Sequence, residues 1–331
     1  MIHARRWRFE DAFVIQDFDF DGIFRVQSRR LGHRGRIAGN WTASEGRISS
    51  ETMNNALTKN PLWSGDRINL RAATVTRREG VFRRVADNLY KIECYEPLNG
   101  GTPFPSHIVD VSKAVEQWHY RLPLISHCFV GTQAATLTAL IGDLEATVAS
   151  EYCCHEAGHV IGRSVQTKFE RSYFAPRGKI IWPLVWVEEF RADLHSYLLA
   201  LDVMAPGDAV SLFIYNCFAR WAGDALSLRD QSYGYGTIPF LLFALLLEIR
   251  FLEIVTRKSG TKLTVVSASI PEMVRVMTEC HNHALREITK PELSTDDCLQ
   301  WGINAAQYYR QRVLENPLHE SYIKLLTLAT N

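Results

Sequence analysis

The feature that most limits what this chain can fold into is a change of hydrophobic period near residue 105. Before it, short apolar alternations are punctuated by glycine, asparagine and arginine. After the loop "EPLNGGTPFPSH" the period becomes helical and stays so to the C-terminus. In "RAATVTRREGVFRRVADNLYKIECY", Val75, Val81, Phe82, Val85, Tyr90 and Ile92 are separated by the turn signals "REG" and "ADN", which reads as consecutive antiparallel strands. The expected class is α+β: a small antiparallel β-sheet portion over residues 1–105, of unassigned role, and a mostly helical domain over 106–331. Breaks are expected near Pro123, Pro176 to Gly178, Pro183, Gly207, Gly234 to Gly236, Gly260 and Pro317.

The most apolar run, Ile238 to Val255, is interrupted by Glu248, Arg250 and Glu253 before it reaches the roughly 20 residues needed to span a bilayer, so it reads as a buried helix and not a membrane anchor. No signal-peptide core is visible at the start. Seven cysteines, an odd number that includes the neighbours Cys153 and Cys154, point to reduced thiols and a cytoplasmic setting. A formal net charge of +1 gives no global reason to expect nucleic acid as a partner, and the basic stretch Arg29 to Arg36 lacks the aromatic interleaving such binding needs.

The chemistry lies in "CCHEAGHVIGR", Cys153 to Arg163. On a helix His155 and His159 are about 40° apart, so both imidazoles can hold one ion, while Glu156 stands about 100° round from His155, where it can take a proton from metal-bound water. A catalytic zinc needs a third ligand and an open position. Some thirty residues on, "WVEEFRADLHSY" places Glu189 and Asp193 on one helical face: Glu189 is expected to complete the coordination and Asp193 to accept the N–H of a ligating imidazole, His155. The longer HExxHxxGxxH pattern fails at Val165, and His195 lies about 240° round from Glu189. Glu188 is the second choice of ligand.

HExxH followed by Glu-x-x-x-Asp resembles the gluzincin metallopeptidases. Within that group "EEFRAD", Glu188 to Asp193, resembles the second motif of the dipeptidyl peptidase III family at every position but Phe190, where the family has cysteine. The resemblance implies a zincin-like metal-binding domain with Glu189 as ligand and Asp193 behind it. "HEAGH" lacks the extra residue of that family's first motif, so the metal site is carried over and the dipeptide-releasing specificity is not.

The expected function is a zinc-dependent hydrolase holding one zinc per chain, with Glu156 as general base at a peptide or other amide carbonyl. The alternative is a zinc enzyme acting on a small metabolite. Oxyanion donors are sought in Tyr233 or Tyr235 of "QSYGYGT" and in His281 or His283 of "ECHNHAL". Arg191 is read as a structural ion pair with Glu188. Oligomeric state is not encoded in any motif.

Overall fold

Six strands near the N-terminus close into a barrel in the order β1, β2, β3, β4, β6, β5. The computed structural model describes residues 2–9, 12–20, 35–42, 46–80, 89–94, 107–162, 182–221, 237–257, 260–287, 311 and 315–330. The barrel strands are β1 (Ile2–Phe9), β2 (Ala12–Phe20), β3 (Gly35–Trp41), β4 (Leu70–Gly80), β5 (Leu89–Cys94) and β6 (His107–Asp110). Strands β1 to β4 pair antiparallel in sequence order, as does β5 with β6, while β1 with β5 and β4 with β6 are parallel. The class is α+β, as the period change implied, and the sheet is mixed where antiparallel pairing was expected.

Two readings of the barrel region change. β4 and β5 are not neighbours, because β6 lies between them, its Ile108 opposite Arg71 on one side and Tyr90 on the other. The four-residue strand "HIVD" is too short to show a period of two, and the proline- and glycine-rich loop before it masks its start. The expected boundary at residue 105 therefore falls just ahead of the last barrel strand.

Asp110 joins barrel to helices. Its buried carboxylate accepts from Lys113 N and so caps α2 (Val111–Ser126), accepts from Val75 N of β4, and pairs with Arg78. The other described helices are α1 (Ser50–Leu57), α3 (Gln133–Thr138), α4 (Leu144–His159), α5 (Trp182–Val203), α6 (Pro206–Ala219), α7 (Thr237–Glu248), α8 (Ile270–Glu287) and α9 (Leu318–Thr330). Gly142, at φ 62°, makes the break between α3 and α4, and Asp143 then caps α4 by accepting from Ala146 N. Pro183 marks a helix start, as its expected break implies, whereas Pro123 lies inside a helix. Pro183 sits in the first turn of α5, where no N–H is needed, and α2 runs through Pro123 to end three residues later.

The run Ile238–Val255 is not one helix. Helix α7 ends at Glu248, Arg250 adopts φ 58°, and Phe251 N and Arg250 N donate back to Leu246 O and Leu247 O, a Schellman closure. The chain continues as β7 (Leu252–Arg257), which pairs antiparallel with β8 (Gly260–Val265). The stop was hidden because an arginine occupies the left-handed position usually given to glycine. The β-branched residues Ile254, Val255 and Thr256 then favour a strand.

Helix α5 is the central element, packed against α1, α4, α6, α7 and α8, and one apolar core runs from Ile68, Ala72 and Val109 at the barrel through Trp118 of α2 to α8. Cys128, Cys153, Cys154, Cys217 and Cys280 are buried free thiols within it. Among the described residues no helix is long and apolar enough to cross a membrane.

Candidate metal centre

Helix α4 is buried on nearly every face, and it can lie close along α5 because Gly158 presents no side chain to Ala192. That approach carries His155 and His159 to Glu189. Nε2 of His155 is 3.1 Å from Nε2 of His159 and 3.3 Å from Glu189 Oε2, and His159 Nε2 is 3.7 Å from Glu189 Oε1. The two rings stand nearly perpendicular, at 87°.

The opposite nitrogens are held by carboxylates. His155 Nδ1 lies 2.8 Å from Asp193 Oδ1, and His159 Nδ1 lies 3.2 Å from Glu188 Oε1. A carboxylate only accepts, so each Nδ1 carries the proton and donates, which turns the Nε2 lone pairs toward the shared point. Two lone pairs 3.1 Å apart beside a carboxylate repel unless a proton or a metal ion sits among them. Ligand atoms about 2.0–2.2 Å from a tetrahedral zinc stand about 3.3–3.6 Å from one another. The imidazole nitrogens stand 3.1 Å apart and the Glu189 carboxylate meets one through Oε2 at 3.3 Å and the other through Oε1 at 3.7 Å, close to that spacing, so this group can hold a divalent ion.

The local field favours positive charge. Burial disfavours a charged imidazole, but Asp193 and Glu189 outweigh it at His155 and raise its pKa well above the ordinary value, whereas at His159 burial prevails and lowers it. Burial likewise opposes ionisation of Glu189, and His159, His155 and Arg220 overcome it to hold the carboxyl at about 2. Asp193, fully buried, is held well below the usual carboxylate range against burial by Arg220 and His155.

Behind Asp193 lies a network that the motifs did not announce. Arg220 donates from Nε to Asp193 Oδ2 at 2.8 Å and from Nη2 to Oδ1 at 2.9 Å, and its Nη2 reaches 3.7 Å from Glu189 Oε2. Asn216 Nδ2 donates to Asp193 Oδ1 and to Glu151 Oε1, while Tyr197 Oη donates to Asn216 Oδ1. Asn216 with Arg220, and Glu151 with His155, are spaced four apart on their helices, the one sequence signal that could have found them. Glu151, His155 and Asp193 also come within ligand distance of one another, but Asn216 already donates to both carboxylates and Arg220 to Asp193, and burial pushes the Glu151 carboxyl up, which disfavours a second ion there.

Glu188 is brought to His159 and to Arg191, not to the shared point. Arg191 donates to both Glu188 oxygens and to the carbonyls of Ile161 and His159, so the ion pair also closes the C-terminal end of α4. Glu156 lies beside the imidazoles with its side chain 4% exposed, and Nε2 of His107 from β6 stands 3.4 Å from its Oε2. His281 does not join the cluster: its ring packs at 5.2 Å against His195, on the side of α5 away from Glu189. Tyr233 and Tyr235 lie outside the described residues. Cys153 and Cys154 are in neither group of possible ligands, and burial pushes the Cys153 thiol up to about 12.

No protein-family model and no curated protein matches the sequence. Solved structures do match. Dipeptidyl peptidase III from Caldithrix abyssi aligns with a TM-score of 0.57 at 12% identity, over 95% of this chain and 58% of that one. The enzyme of the same name from Corallococcus sp. strain EGB aligns with a TM-score of 0.51 at 12% identity, over 90% of this chain and 57% of that one. The chain thus has a dipeptidyl peptidase III-like fold and spans well under two thirds of the length of either structure.

Proposed function

We propose that this chain is a zinc-dependent hydrolase of gluzincin type, in which His155, His159 and Glu189 hold one zinc ion and Glu156 is the general base. The observation that carries this reading is the convergence of two imidazole Nε2 atoms and one carboxylate on a single point, with both Nδ1 atoms turned to carboxylates. Zinc bound there supplies Lewis acidity, bringing the pKa of a water toward about 7 and polarising a carbonyl. The chain's own residues do the rest. Glu156, about 100° round α4 from His155, stands beside the ligands and not among them; it accepts the proton of the attacking water and returns it to the leaving amine, so the carboxylate is restored at the end of the cycle. Asp193 and Glu188 fix the tautomer and direction of the two imidazoles, and Arg220 balances the charge of Asp193 and Glu189. Glu189 is the most open of the three ligands, its side chain 21% exposed, so substrate enters on its side. The phenol of Tyr233 or Tyr235 remains the proposed donor to the developing oxyanion.

The two solved structures are dipeptidyl peptidases, which makes peptides the first substrate class to test. The dipeptide-releasing specificity stays with those longer chains. The purified protein is expected to bind about one equivalent of zinc and to cleave members of a mixed peptide pool, while Glu156→Gln keeps the metal and loses activity by roughly a hundredfold or more. Zinc bound with no peptide cleaved would shift the reading to a zinc enzyme acting on a small metabolite, and failure to bind zinc would overturn it.

A further inference from the structure

The barrel has no role in the chemistry so far, yet it delivers one side chain to the site. His107 opens β6, and its main chain is fixed on both sides. It stands opposite Leu70 of β4 and Lys91 of β5, and its N–H donates to Asn69 O at 3.0 Å. A residue so held places its side chain with little freedom. The imidazole leaves the barrel wall toward α4, 15% exposed, and its Nε2 lies 3.4 Å from Glu156 Oε2. Glu156 is itself almost fully covered, so few water molecules can orient its carboxylate, and the direction of that carboxylate depends on protein donors.

We propose that His107 is the positioning residue for Glu156, an inference that rests on the zinc hydrolase reading above. Nε2–H of His107 engages Oε2, which leaves Oε1 turned to the reacting proton. The distance is long for a hydrogen bond, as contacts to catalytic groups often are before substrate binds. No proton need leave His107 during the reaction. Its contribution is direction: a general base acts only within hydrogen-bond reach of the proton it takes, and a carboxylate free to rotate spends part of its time outside that reach. The barrel thereby becomes part of the active site, by a route the sequence does not show, since a lone histidine after a proline-rich loop carries no motif.

A purely structural contact, pinning the barrel to α4, would give the same picture at rest, so the test separates the two. The full chain is prepared as wild type, His107→Ala, His107→Gln and Glu156→Gln. Zinc content, thermal unfolding and the affinity for a small peptide hydroxamate are measured for each. A hydroxamate binds at zinc and hands a proton to the neighbouring general base, so it reads the placement of Glu156 without a known substrate. The expected result is that His107→Ala weakens hydroxamate binding about tenfold, as Glu156→Gln does, with zinc content and Tm unchanged, and that His107→Gln, whose amide nitrogen can occupy the place of Nε2, restores most of it. Unchanged affinity in His107→Ala, or a loss that follows Tm or zinc content and is not restored by glutamine, would overturn the proposal. A wild-type protein that binds no zinc would instead overturn the hydrolase reading, and this inference with it.

Discussion

Gly158 of α4 lies so near Ala192 of α5 that a Cβ built on it would fall 2.3 Å from the Ala192 carbonyl oxygen and 2.9 Å from its carbon. Those are main-chain atoms in the middle of a helix, so no rotamer change relieves the clash. The consequence reaches the site, because Gly158 directly precedes His159 and Ala192 directly precedes Asp193. Alanine is the better helix former by about 1 kcal/mol, but overpacking of this kind costs about 1–3 kcal/mol and moves backbone. Gly158→Ala is therefore expected to lower Tm and to weaken zinc binding together, read by thermal unfolding with and without the metal. Wild-type behaviour in both would mean the two helices do not approach this closely.

Asp193 accepts from His155 Nδ1, Asn216 Nδ2 and two nitrogens of Arg220. Asparagine has the same shape, but with its oxygen at the place of Oδ1 its amide nitrogen takes the place of Oδ2 and meets Arg220 Nε donor to donor, and the charge that balances Arg220 and holds the His155 proton is gone. Loss of such a partner behind a metal ligand typically weakens metal affinity about 10–100-fold. Competition against a chelator of known affinity measures this, and an unchanged zinc affinity would detach Asp193 from the site.

What could be read from the sequence was what one helix decides by itself. The four-residue spacing put His155 and His159 on one face, and the same spacing put Glu189 and Asp193 on another, so their meeting needed only that two apolar helices pack. The α+β class followed from the change of period. What escaped depends on other elements or on exceptions. β6 is too short to show its period, β7 and β8 were hidden behind the left-handed Arg250, and His107 and Arg220 reach the site from a barrel strand and from α6 with no motif around them. The role given to Glu188 also needed the structure, since only the tilt of α5 against α4 decides which of two adjacent carboxylates meets Nδ1 of His159 and which meets Nε2.

The metal-free protein should lose stability in acid through this cluster. Glu189 titrates at about 2 in the folded chain against an ordinary value of 4.5, and Asp193 is depressed as well. Between the ordinary values and the depressed ones the unfolded chain binds more protons than the folded one, so stability falls as pH falls through that window. The contribution is fully present above about pH 5. Glu151 opposes it, because its raised pKa makes the folded form bind protons more readily, a contribution lost as pH rises through its folded pKa. Urea unfolding of the chelated protein from pH 7 to pH 3 is expected to show a decline that is smaller in Glu189→Gln. An equal decline in both would remove Glu189 as a source.

Tyr197 gives a prediction in which stability and metal binding part company. Its hydroxyl is fully buried and donates to Asn216 Oδ1 at 2.7 Å, and Asn216 then donates to Glu151 and Asp193. Tyr197→Phe keeps the ring and its edge-on contact with Phe213 at 5.0 Å but leaves a buried amide oxygen without that donor. An acceptor stranded in this way costs about 1–3 kcal/mol. Zinc affinity should change little, because Arg220 still clamps both oxygens of Asp193 and His155 still donates to one of them. Urea unfolding and a zinc titration on the same variant separate the two effects. A loss of zinc affinity comparable with that of Asp193→Asn would show that Asn216, and not Arg220, is what keeps the carboxylate in place.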